Sequence, residues 1–401
     1  MLYNNTLIQP ATLNAQLKMK NRSFFRDLSV KTLLLTVFLS LTSCSPDTEK
    51  NQDGSSKILN IYHWSDYIAD DTIANFENET GIKVRFDTFD SNETLHAKLV
   101  VRNTGYDIVV PGSHFAKLQI AAGLYMPLDK DKIPNLQYLD PVIQEKLANV
   151  DPGNKYLVDW MWGYTTVGIN VAQVNAALNG EPLPENAWDL VFDPHYSNRL
   201  KSCGIAILDT SSEIIPIALK YIGKDPFSTN PDDYKAVSEM LHKIRPDVFR
   251  FVNGGSDYID QLATGSICVV VGWSGDIMIA ANLSQNSSNP QELEVLVPSM
   301  GGLLFFDTMA IPADAPHPEN AMQWINYILR PEVQASLSNA VFYANPTTKA
   351  SQPYMDPEIA NNKAIFPDDE AMSHMIVPDS VSQTTRRMVS RTFTNFKANQ
   401  L

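Results

Sequence analysis

The chain has 401 residues, 44% of them hydrophobic and 19% charged, with a formal net charge of −14. That length supports more than one well-filled core, and the composition is that of a folded globular protein rather than a disordered one. The acidic balance disfavours nucleic acid and anionic ligands as partners and favours encounter with cations.

The first residues read as an export signal. Lys18, Lys20, Arg22, Arg26 and Lys31 form a basic region, and Leu33–Leu41 is an apolar run too short to span a bilayer. Met19, directly before that region, is an alternative start to Met1. The run ends Leu41-Thr42-Ser43-Cys44, which resembles a bacterial lipobox. It implies a lipoprotein signal peptide over 1–43 and lipidation of Cys44, which would hold a soluble domain at a bacterial membrane. Residues 1–43 carry five basic residues and one acid, so the remainder has 26 basic and 44 acidic residues and a net charge of −18. Residues 44–57 are polar and without periodicity, as a flexible tether would be.

Lys57-Ile58-Leu59-Asn60 reads as the first strand, with Ile61–Tyr67 at its carboxyl end. Asp70–Gly81 has a helical pattern that Gly81 stops, and Ile82–Phe89 alternates as a strand. A second helix is expected over Ser91–Arg102, then a buried parallel strand over Tyr106–Pro111. Ser113 is placed to cap a helix from Phe115 to Ala122. Tyr156–Val171 is too long and mixed for one simple strand and reads as a crossing into a second lobe. That lobe holds a strand Cys203–Leu208, helices near Ile214–Ile222 and Asp232–Ile244, and a buried strand Ile267–Trp273. Ser274-Gly275-Asp276 turns the chain into a helix from about Ile277. Ser284–Pro290 reads as a surface loop. Leu293–Pro298 and Leu303–Ile311 cross back, and the helix Glu319–Leu329 stops at Arg330-Pro331. The remainder reads as Pro- and Asn-rich with short helical pieces.

Two cysteines besides Cys44 remain, Cys203 and Cys268, and an even pair in an exported chain reads as a disulfide. Nucleophile elbow, P-loop, His-Glu-x-x-His and dinucleotide patterns are absent, and the sequence asks for no cofactor, metal or catalytic residue. What recurs is an aromatic beside an acid at strand ends: Trp64/Asp66/Tyr67, Trp273/Asp276 and Phe305/Phe306/Asp307, with Phe342/Tyr343 later. Each alone is also what a core ring next to a helix cap looks like. Three of them at strand ends of two lobes would converge on one cleft, and rings beside carboxylates suit an organic cation.

The order Tyr62-His63-Trp64-Ser65-Asp66-Tyr67-Ile68, Phe89-Asp90-Ser91-Asn92-Glu93, Tyr106–Pro111 and Gly272-Trp273-Ser274-Gly275-Asp276 resembles bacterial polyamine-binding proteins, the extracytoplasmic receptors of spermidine/putrescine ABC transporters. Within them the likeness is greatest to the putrescine-binding type. Phe305-Phe306-Asp307, Leu329–Val333 and Val341–Asn345 extend the match over residues 58 to about 395.

The resemblance implies an α/β, two-lobed periplasmic-binding-protein-like fold of type II. Each lobe would be a mostly parallel sheet flanked by helices, with the ligand cleft between them and hinge closure over ligand. The lobes would be 58–161 with 305–342, and 162–304 with 343–401. It implies a Cys203–Cys268 disulfide and ligand contacts from Trp64, Ser65, Asp66, Tyr67, Ser113, Glu213, Trp273, Asp276, Phe305, Asp307 and Tyr343. Two ammonium groups need carboxylates at both ends of the pocket. It further implies a monomeric, lipid-anchored, non-enzymatic receptor that delivers polyamine to a membrane permease. A sensor of the same fold, an amine-acting enzyme and an iron(III) receptor are the alternatives. The chain departs from the family at Gly112 and His114, where putrescine-binding members carry hydroxyls. That leaves putrescine, agmatine, cadaverine and spermidine open.

Overall fold

In a computed structural model of the chain, residues 57–401 are described, except Asp66, Asp90, Gly255 and Ser380. The signal segment 1–43, Cys44, the tether up to residue 56 and Asp66 therefore lie outside the described residues.

The first strand, β1, runs Ile58–Trp64, four residues beyond its predicted end. Its extension is set by partners: every residue from Ile58 to Trp64 is in parallel register with β2 (Lys83–Phe89). Between them the helix Thr72–Thr80 buries Phe76 and ends at Gly81, whose φ of 71° lies in the left-handed region. The helix Asn92–Val101 starts after Ser91, whose hydroxyl accepts from the Thr94 amide as a cap. β3 is only Ile108–Val109, shorter than the apolar run predicts, and lies parallel to β1.

The segment 156–171 differs most from expectation. It is one strand, β4 (Leu157–Asn170), buried at every position. A strand enclosed on both faces shows no alternation, which is why its pattern looked mixed. β5 (Ile205–Leu208), β6 (Val248–Val252), β7 (Val269–Trp273), β8 (Leu293–Leu296) and β9 (Leu303–Ala310) complete the sheet. Its order is β2-β1-β3-β9-β4-β7-β5-β6, with β8 also paired to β4. β4 is the seam. From Leu157 to Thr165 it pairs antiparallel with β9, and from Thr165 to Ile169 with β7.

The strands on either side of that seam have separate cores. On one side, two apolar clusters that include Ile61, Ile108 and Trp160, and Tyr62, Val109 and Phe306, flank the β1–β3–β9 group. On the other, Ile205–Leu208 and Val269–Val271 pack with the helices Ser211–Tyr221 and Pro231–Ile244. The disulfide Cys203–Cys268, with Cα atoms 5.4 Å apart, joins the approaches to the parallel neighbours β5 and β7. A link of that sequence separation contributes about 4 kcal/mol in the chain-entropy picture.

Two further helices exceed the prediction. Arg330-Pro331 ends the helix Pro318–Ile328 but opens another, Pro331–Val341, because proline at the first helical position lacks only an amide that would be unpaired anyway. The C-terminal region contains a 15-residue helix, Gln383–Lys397, whose Val389, Phe393 and Phe396 enter the second core.

Candidate functional site

The site is built where β7 and β9 meet the seam. Trp273 is the last residue of β7 and packs against apolar clusters from both sides of the sheet. Its backbone amide donates to the Tyr258 hydroxyl at 3.1 Å, and its indole Nε1 donates to Glu213 Oε2 at 3.0 Å. Glu213 sits in the first turn of the helix Ser211–Tyr221, where the helix dipole favours an acid, and also accepts from the Thr165 hydroxyl of β4. Burial raises the Glu213 pKa, and those two hydrogen bonds oppose the shift.

The helix after β7 starts at Ser274, so Asp276 lies in its first turn rather than in a preceding bend. Asp276 Oδ1 accepts from the Tyr343 hydroxyl at 2.6 Å, while the Asp276 amide donates to the same hydroxyl at 3.2 Å. Tyr343 is thereby locked edge-on to Tyr67, with ring centroids 4.9 Å apart. Phe305 completes the aromatic wall, 6.3 Å from Trp273 and 6.1 Å from Tyr343. Two glycines make the close packing possible. A Cβ on Gly163 would lie 2.7 Å from the Phe305 ring, and one on Gly275 would lie 2.2 Å from that of Tyr343.

Asp307 projects from β9 beside this wall, and its backbone bridges to Gly112. Its pKa is pushed up to about 8, first by burial, then by the negative charges of Glu213 and Asp276, with Tyr67 opposing. That mutual repulsion places the three acids in one field, which a cation would relieve. The Tyr67 hydroxyl lies beside Asp307 and opposes its pKa shift as a hydrogen-bond donor does, without reaching good hydrogen-bond geometry.

The other expected residues fall at the edges. Trp64 packs its ring on Phe89 at 4.6 Å, rather than on Trp273, Phe305 or Tyr343, and Ser65 is exposed. Ser113 does not cap a helix: the helix runs Ser113–Ala121 with Gly112 before it, and the Ser113 hydroxyl is buried without a partner among the described residues. The space beside Gly112 is occupied by Asn92, whose Oδ1 accepts the Gly112 amide at 2.8 Å. His114 lines a cleft of about 230 Å³ together with Glu93, Phe115, Glu213 and Phe305. Burial lowers its pKa to about 4, so the imidazole is neutral at pH 7 and does not repel a cation.

Reasoning from sequence missed Thr165, Tyr258, Gly163 and Gly254, whose own added Cβ would strike the Trp273 ring at 2.1 Å. Gly163 carried a signal, since a glycine inside a strand often marks close approach. Thr165 and Tyr258 carried none. Among the described residues, no group of three or more His, Cys, Asp and Glu side chains is arranged to hold a metal ion.

The chain and its fold have counterparts among known proteins. The chain is 43% identical to the putrescine-binding periplasmic protein of Escherichia coli K12, over 85% of this chain and 92% of that one. It is 40% identical to a putrescine-binding periplasmic protein of Pseudomonas aeruginosa UCBPP-PA14, over 90% of this chain and 97% of that one. A spermidine/putrescine ABC transporter substrate-binding protein of Streptococcus pneumoniae superposes with a TM-score of 0.73 at 27% identity, covering 86% of this chain and 99% of that one. The fold is thus the two-lobed, periplasmic-binding-protein-like one. The model of the bacterial extracellular solute-binding protein family matches residues 71–367, and the chain belongs to that family.

Proposed function

We propose that the protein is an extracytoplasmic polyamine receptor, binding putrescine or a related diamine and delivering it to the permease of an ABC transporter. The observation that carries this reading is the cluster of Glu213, Asp276 and Asp307 walled by Trp273, Phe305 and Tyr343. A diamine is doubly charged at neutral pH, because its amines have lysine-like pKa values near ~10. The acids pair with its ammonium ends, and the rings cover its methylenes and attract its charge. Trp64, Ser65, Asp66, Tyr67 and Ser113 complete the contact set in this reading.

The lobes divide at β4 and β9, and closure about those strands brings Glu213, Trp273 and Asp276 against Asp307 and Tyr67. Ala344, Met355, Ile359 and Met375 pack in the core of Tyr62 and Val109, whereas Ile376, Val389 and Phe393 pack in the other, which favours a return to the second lobe near Ile376 over the boundary expected at 343. Cys44 carries the lipid anchor, and the receptor acts as a monomer.

Calorimetric titration with putrescine, agmatine, cadaverine, spermidine and spermine tests the assignment, and binding to none of them rejects it. The relatives described above are named as binding proteins, which favours capture over catalysis and gives a sensor role no support. Mass spectrometry of the ligand after incubation checks this: chemically altered polyamine would show an enzyme.

A further inference from the structure

One buried carboxylate takes no part in the site as built so far. Asp159 lies on β4 opposite Thr308, the neighbour of Asp307, at a shift of register between Asp159 and Met161. Such irregularities re-aim side chains next to functional sites. Asp159 is 0% exposed, and neither carboxylate oxygen has a hydrogen-bond partner among the described residues. The Tyr67 hydroxyl is also buried, and beside Asp307 it makes no hydrogen bond of good geometry. Asp307 repels Asp159, and the charges of both bear on Tyr67, so the three groups share one locality.

Buried polar groups are nearly always satisfied, and two unsatisfied ones side by side call for a missing partner. Burial favours the protonated form of the Asp159 and Asp307 carboxyls, and a cation that donates to them would draw them into the ionised form, in which they only accept. The described residues offer no metal cluster here. A primary ammonium has three N–H donors on one atom, matching two carboxylates and a phenol oxygen. We propose that Asp159, Asp307 and the Tyr67 hydroxyl form an inner ammonium subsite at the first-lobe end of the cleft. Asp159 is then a further ligand-binding residue, and it selects for a terminal primary amine. This rests on the polyamine reading above.

The test is calorimetry of the wild type and Asp159→Asn with putrescine and with N-acetylputrescine, one end of which is uncharged. The variant is expected to weaken putrescine binding about 30-fold or more, the range for losing one partner of a buried charge pair, and N-acetylputrescine much less. If the wild type binds putrescine and the variant matches it within about twofold, the subsite is wrong and the receptor stands. Equal weakening of both ligands also overturns it, since that is the mark of a structural role. If the wild type binds no polyamine, the receptor reading itself falls and takes the subsite with it. Should Asp159→Asn not fold, a crystal structure of the wild type with putrescine decides. A ligand nitrogen bonded to Asp159 directly or through one water supports the subsite, and any other position overturns it.

Discussion

The two ends of the cleft are prepared differently. At the second-lobe end the acids already have donors: Glu213 holds Thr165 and the Trp273 indole, and Asp276 holds the Tyr343 hydroxyl. At the first-lobe end Asp159 and the Tyr67 hydroxyl have none among the described residues, and Asp307 is pushed to a pKa of about 8. A carboxylate has room for about four hydrogen bonds, so the partnered acids keep free acceptor capacity while their geometry is held in advance. The second-lobe end is thus the pre-organised one and selects shape. The first-lobe end is electrostatically frustrated, and a cation would relieve it.

Breaking the pre-organised end has the largest expected effect. Asp276→Ala removes a charge and frees Tyr343, and is expected to cost about 2–5 kcal/mol of putrescine affinity by calorimetry. An unchanged affinity would remove Asp276 from the site. Trp273→Ala follows at about 1–3 kcal/mol, since it deletes a ring and the indole donor to Glu213 together.

The frustrated end is expected to show itself through pH. Asp307 keeps its proton up to about pH 8, so a dication binding near pH 7 must displace it. Putrescine affinity is therefore expected to rise from pH 6 to 8, by up to about tenfold per unit for one proton released, and Asp307→Asn should flatten that rise. Stability of the ligand-free protein runs the other way. The unfolded carboxyl ionises near its ordinary 3.8 and the folded one near 8, so its contribution is present below about pH 4 and lost as pH rises towards 8. Thermal melts of Asp307→Asn should consequently exceed the wild type most at pH 8. A wild-type affinity flat from pH 6 to 8 would show that Asp307 is ionised before ligand arrives.

The smallest effect is expected at Gly112→Ser. Its Cβ would meet the Asn92 amide at 2.9 Å, a side chain able to shift, so the expected change is under about 1 kcal/mol in stability and in putrescine affinity. A large gain in affinity would show that the missing hydroxyl, not the acids, limits binding.

Much of this was legible in the residues alone. The β1–helix–β2 unit, the buried β7 and the pairing of rings with acids at strand ends all follow from local periodicity and composition, which neighbouring residues record. The resemblance to polyamine-binding proteins implied contacts from Glu213, Trp273, Asp276, Phe305, Asp307 and Tyr343, and these side chains lie near one another in the structure. Local pattern failed where partners from afar decide the conformation. β4 is one strand because β7, β8 and β9 all pair with it, and enclosure erased the alternation that would have announced it. Ser113 looks like a cap by spacing but is buried, and the helix starts on it instead.

What the sequence determined by itself is the chemistry: an acidic, exported-looking chain whose aromatic and carboxylate residues suit an organic cation. Only the tertiary structure decided which carboxylates are satisfied and which are not. Thr165 reaches Glu213 across 48 residues and Tyr343 reaches Asp276 across 67, whereas no described donor reaches Asp159. Hydrogen-bond partners at such separations leave no trace in local spacing, and burial turns their presence or absence into the difference between a fixed end and a waiting one.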